Sequence, residues 1–73
     1  MILNIDGRTP FEAKDEDIEL AIIYLNEANG DRMLAVRKIV QDDCRTYTLV
    51  QWVAIMHEAE RIQNTRANRG LTQ

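Results

Sequence analysis

Cys44 and His57 are the single cysteine and the single histidine of this sequence, and together they are the residue types of a thiolate–imidazole pair. Such a pair works when the base lies within hydrogen-bond reach of the thiol and a third group orients it. Here a capped helix start at Thr48 separates the two, and nothing marks an oxyanion hole. His57 falls on the flank of a helix with Val50, Ala54 and Arg61, so a structural, partly exposed histidine is expected and no residue is assigned to catalysis. One Cys and one His cannot complete a structural zinc site, which takes four nitrogen or sulfur ligands. Asp15-x-Asp17-x-Glu19 has the opening spacing of a calcium loop but lacks the glycine at position six and the acid at position twelve. The three glycines, at 7, 30 and 70, are too scattered to cradle a phosphate. The expectation is a protein with no enzymatic activity, no metal and no cofactor.

The elements that would carry these residues are mostly helical. Asp15, Glu16 and Asp17 put negative charge in a first turn, where the helix dipole favours it, and Ile18, Ala21, Ile22, Leu25 and Ala28 follow at helical spacing. Asn29-Gly30 is the stop signal, and Asp31 caps a second helix whose apolar face is Met33, Val36 and Val40, with Ala35 and Ile39 beside it. That helix fades at Gln41-Asp42-Asp43. Thr48 and Gln51 have capping-box spacing and open a third helix with the stripe Leu49, Trp52, Val53, Met56, Ala59 and Ile62. Ahead of these, the apolar run Met1–Ile5 precedes Asp6-Gly7, a hairpin signal. Pro10 weakens the return strand, and Thr9-Pro10 with Glu12 equally fits the start of a helix.

The expected fold is therefore all-α, a small three-helix bundle with a short N-terminal extended arm or hairpin. Its predicted core is Ile18, Ile22, Leu25, Val36, Ile39, Val40, Leu49, Trp52, Val53 and Met56. Residues 1–63 would form a single helical domain and residues 64–73, which lack apolar periodicity, a flexible basic tail. Seventy-three residues with 45% hydrophobic and 29% charged side chains suit one small globular domain. A lone cysteine excludes an internal disulfide framework. No apolar run approaches the roughly 20 residues that span a bilayer, and the expected location is the cytoplasm, without membrane contact. The formal net charge of −3 argues against wrapping nucleic acid. That charge is also uneven: Glu12, Asp15, Glu16, Asp17 and Glu19 cluster early, while Arg61, Arg66 and Arg69 follow Glu60.

Two resemblances bear on function. Leu25-Asn26-Glu27-Ala28-Asn29-Gly30-Asp31, then Leu34-Ala35-Val36-Arg37, then Thr48-Leu49 with Trp52, resembles a Fis-type helix-turn-helix over residues 18–52. It implies a DNA-binding regulator or a phage DNA-packaging adaptor using Arg32, Arg37, Lys38 and the basic tail. The second turn, Gln41–Tyr47, is longer than that family's, and Gln51 and Glu58 stand where basic or amide groups should meet DNA. The string Gln51-Trp52-Val53-Ala54-Ile55, then Glu58-Ala59 and Arg61-Ile62, resembles small acidic phage anti-CRISPR proteins of the type I-E inhibitor kind. That resemblance implies a non-enzymatic inhibitor, in the cytoplasm of a bacterial host, which binds a host protein complex such as a CRISPR effector subunit and obstructs its nucleic-acid-binding surface.

The leading expectation is protein–protein binding of this inhibitor type, with nucleic acid not the partner. Asp15, Glu16, Asp17 and Glu19 would meet a basic surface, and Tyr24 and Tyr47, on the edges of the apolar stripes, would add interface contacts. Trp52, inside its stripe, is read as core. A homodimer or larger homo-oligomer that hides the Met1–Ile5 arm by strand addition is a further reading.

Overall fold

A computed structural model describes the chain over residues 1–42 and 46–71, with side chains as far as residue 67. Cys44 and the neighbouring Asp43, and the last two residues of the expected tail, lie outside the described residues. Two short strands, β1 (Ile2–Ile5) and β2 (Thr9–Glu12), precede three helices, α1 (Asp15–Glu27), α2 (Arg32–Asp42) and α3 (Leu49–Leu71). The chain is thus mainly helical, with an N-terminal antiparallel hairpin in place of a simple arm.

Asp6 and Gly7 decide between the two readings of the N-terminus. Both take positive φ, 54° and 70°, as a type I′ turn demands, and the Arg8 N–H closes on the Ile5 carbonyl at 3.0 Å. Ile5 then pairs with Thr9, Leu3 with Phe11 and Ile2 with Glu12, so Thr9-Pro10 opens a strand, not a helix. Met1 and Ala13 exchange both backbone hydrogen bonds, at 2.9 and 2.8 Å. Antiparallel pairs alternate between hydrogen-bonded and non-hydrogen-bonded. Leu3–Phe11 is therefore of the bonded kind and Asn4–Pro10 of the unbonded kind, which removes any need for an N–H at Pro10.

α1 ends in a Schellman arrangement. The Gly30 N–H reaches the Leu25 carbonyl at 2.9 Å and the Asn29 N–H the Asn26 carbonyl at 3.1 Å. The left-handed residue at the helix end is Asn29, at φ 57°, with Gly30 at 86° continuing the reversal. Asp31 caps α2 through Oδ1 to the Leu34 N–H at 3.2 Å. Thr48 and Gln51 form the reciprocal capping box of α3, at 3.2 and 2.8 Å.

One core lies between the three helices: Ile18, Ala21, Ile22 and Leu25 of α1 with Ala13 before it and Ala28 after it, Ala35, Val36 and Ile39 of α2, and Trp52, Ile55, Met56 and Ala59 of α3. Three expectations need correction. Leu49 is 59% exposed and Met33 66% exposed. α3 is turned so that Ile55 joins Trp52, Met56 and Ala59 at the centre of its buried stripe, which shifts Val53 to the half-buried margin and Leu49 to the outside. Met33, in the first turn of α2, is exposed, whereas Val40 stays half-buried. The helix also does not stop at Ile62: α3 runs to Leu71, through most of the stretch expected as a flexible tail.

Candidate functional site

The acidic start of α1 and the Tyr47 turn build one end of the molecule. Tyr47 stacks edge-on against Phe11 of β2 and Trp52 of α3, at centroid separations of 6.3 and 4.9 Å. Its hydroxyl donates to Asp17 Oδ2 at 2.7 Å and accepts from the Lys14 N–H at 3.2 Å. Lys14, the residue before α1, makes no side-chain cap, so the phenol takes the place of one for a backbone donor at the helix entrance. Burial, and behind it the Asp17 acceptor and charge, push the Tyr47 hydroxyl above its ordinary pKa of 10.0, against the opposing pull of the Lys14 N–H. Tyr24 donates its hydroxyl to Asp42 at the end of α2. Both tyrosines are engaged within the chain, as ties between helices.

The acidic patch divides in the same way. Glu19 receives a two-pronged contact from the Arg66 guanidinium, at 2.7 and 3.4 Å, and that hydrogen bond holds its carboxyl below the ordinary carboxylate value. Asp17 serves Tyr47. Asp15 is 91% exposed, with the Met1 nitrogen 3.9 Å away, and Glu16 is exposed beside it. Glu12, counted in the acidic cluster but not among the expected docking residues, adds a third exposed carboxylate 3.6 Å from the same nitrogen. The register of the hairpin, with Glu12 opposite Ile2, puts it there.

Three of the basic groups, Arg32, Arg61 and Arg66, are matched to acids. Arg32 Nε lies 3.5 Å from Glu60, and its Nη1 donates to His57 Nδ1 at 2.6 Å. A guanidinium has donors only, so Nδ1 accepts. Arg61 pairs with Glu58, one turn back on α3, and Arg66 with Glu19. Arg37 and Lys38 are exposed on α2.

A groove of about 450 Å³ runs between β1 and α3, lined on one side by Leu3, Asn4, Ile5 and Asp6. The other side is the helix flank foreseen for His57, with Val50, Val53, Ala54, Glu58 and Arg61. Its walls carry no cluster suited to acid–base or nucleophilic work: the histidine points its Nδ1 at Arg32, and Glu58 is tied to Arg61. Among the described residues no three His, Cys, Asp or Glu side chains converge as a metal site, and no helix is long and apolar enough to cross a membrane. Trp52 is fully buried, and its Nε1 is the one buried side-chain polar atom without a partner among the described residues. No protein-family model matches the chain, and no match is found among curated proteins or among solved structures.

Proposed function

We propose that the protein acts without catalysis, by binding another protein, with the carboxylates at the α1 entrance as the docking surface. The partner surface is basic and, in the reading that follows the anti-CRISPR resemblance, is one that otherwise holds nucleic acid; occupying it is the inhibitory step. The observation that supports this reading is the separation of duties within the acidic cluster. Asp17 and Glu19 are taken up by Tyr47 and Arg66, whereas Glu12, Asp15 and Glu16 are exposed with only one cation near them among the described residues, the Met1 ammonium at 3.6 Å from Glu12 and 3.9 Å from Asp15. Charges placed this way speed encounter and select partners.

The test is Asp15→Lys with Glu16→Lys, leaving Asp17 and Glu19 in place so that the fold keeps both ties. Affinity capture from a bacterial lysate at low salt should retain a partner on the unmodified protein, release it as salt rises, and fail to retain it on the variant. Equal capture by both proteins refutes the assignment. A gel-shift titration serves as the contrasting measurement: tight DNA binding with a steep salt slope would support the helix-turn-helix reading instead.

A further inference from the structure

We propose that two copies of the chain form a closed dimer by pairing β1 with β1. In the hairpin, Met1, Leu3 and Ile5 turn their backbone groups toward β2, so the N–H and C=O groups of Ile2 and Asn4 point the other way. Among the described residues β1 pairs with β2 alone. Three consecutive residues of β1, Leu3 to Ile5, line the groove beside α3, with Asp6 of the turn at its end, so the strand presents its edge there and not just a face. Exposed edges are blunted by shortness, by a covering helix, or by charge, proline or a bulge; β1 is short, at four residues, but a groove separates it from α3. β2 follows that rule, with Pro10 at an outward-facing position. β1, reading Ile-Leu-Asn-Ile, carries no charge, proline or bulge.

Two outward residues dictate the register. With a two-fold axis at Leu3, Ile2 of one copy lies opposite Asn4 of the other, and the reciprocal pair forms at the same time. That arrangement makes four backbone hydrogen bonds and sets Leu3 against Leu3 of the second copy as a close, non-hydrogen-bonded pair. Leu3, half-buried in one chain, becomes covered over Val50, Val53 and Ala54. The product is a four-stranded sheet with a Pro10-bearing strand on each outer edge, so assembly stops at two. Charge agrees with this occupant: β1 has no charged side chain, and the groove's Glu58 and Arg61 neutralise each other, leaving Asp6 at one end. A standard interface takes about 800 Å² per partner, roughly a sixth of the 5164 Å² here. A four-residue strand with Ile2 and Val50, 62% and 50% exposed, falls below that, so the dimer is a weak one, in the micromolar-to-millimolar range.

The experiment uses the full chain, with sedimentation and amide exchange followed from micromolar to millimolar concentration. A monomer–dimer transition is expected, strengthened by salt because each copy carries net charge −3, whereas the acidic docking proposed above is weakened by salt. On dimerisation the Ile2 and Asn4 amides should slow at least tenfold. Asn4→Pro, which deletes an outward N–H, should weaken the dimer at least tenfold, and Pro10→Ala should open the second edge to higher oligomers. Exchange on the unmodified chain decides the matter even if Asn4→Pro unsettles the hairpin. A monomer at every concentration overturns the proposal, as does a dimer whose Ile2 and Asn4 amides exchange at the monomer rate. Protection of those amides only on adding a different protein also overturns it, and gives the edge to a foreign strand.

Discussion

Tyr47→Phe isolates what a single hydroxyl contributes to holding the α1 entrance against α3. The substitution keeps the ring, and with it the edge contacts to Phe11 and Trp52. It removes the hydrogen bond to Asp17 at 2.7 Å and the acceptor for the Lys14 N–H at 3.2 Å. Hydrogen bonds to charged groups contribute about 1.5–3 kcal/mol when well shielded. Asp17 is half-buried, and water can replace the phenol at the exposed Lys14 N–H, so a loss of about 1–2 kcal/mol is expected. In a domain of this size each kcal/mol lowers Tm by about 4–8 °C. Urea melts and calorimetry of Tyr47→Phe, Asp17→Asn and the double variant would give the coupling energy directly. The pH dependence provides a second reading of the same contact. The folded hydroxyl titrates above its ordinary 10.0, so its stabilising contribution is complete below that pH and is lost as pH rises through the folded value. The unmodified protein should therefore lose stability more steeply above pH 10 than Tyr47→Phe does. A Tyr47→Phe protein as stable as the parent, with additive effects of the two single substitutions, would refute the assignment of Tyr47 as a helix-entrance tie.

Three other outcomes follow from the packing. Leu49→Ala should change stability by less than about 0.5 kcal/mol, and Ile55→Ala should cost about 2–5 kcal/mol; equilibrium unfolding would show the reverse order if α3 buried the face its spacing first suggests. Gly30→Ala should cost about 1–2 kcal/mol through backbone strain alone, because Gly30 sits at φ 86° with open space around an added Cβ. Glu19→Gln should fray the end of α3, read as lost helicity by circular dichroism. Because the Glu19 carboxyl titrates below its ordinary 4.5, its contribution is present above that pH and disappears as pH falls through the folded value, so the two proteins converge in acid.

Local signals made much of the fold legible. Asp6-Gly7, Asn29-Gly30, Asp31 and the Thr48–Gln51 pair each carry their own geometric demand, and each meets it. Less legible was how a helix rolls about its axis. Leu49, Trp52, Val53 and Met56 make as good a stripe as Trp52, Ile55, Met56 and Ala59, and only packing against α1 and α2 selects the second. The end of α3 was hidden for a different reason. Residues 63–71 have no apolar stripe to read, and the helix there is tied back by a contact remote in sequence, Arg66 to Glu19. Of the candidate site, the acidic cluster was visible, while the division between engaged and exposed members was not. Tyr47 and Arg66 make that division, and they lie far along the chain from the residues they engage.

The uneven charge of the sequence acquires a specific meaning from this arrangement. An acidic first helix and a basic last segment suggest a molecule with two poles, each awaiting a partner of opposite sign. In the folded chain the poles meet: Arg66 reaches back to Glu19, and Arg32 and Arg61 are matched by Glu60 and Glu58. An arginine so placed is a poor phosphate ligand, since binding DNA would first break an existing pair. Of the cations the DNA-binding reading calls on in α2, only Arg37 and Lys38 keep exposed charge with no acid beside them among the described residues, and the net charge of −3 argues against that reading. At the α1 entrance the balance stays acidic, because among the described residues Glu12, Asp15 and Glu16 have only the Met1 ammonium, 3.6 and 3.9 Å from the first two, to set against them. The uncharged β1 edge is a different kind of surface, selected by backbone hydrogen bonding and not by sign. Salt should strengthen association through β1 and weaken association through the carboxylates, so a salt titration separates the two surfaces without any mutation.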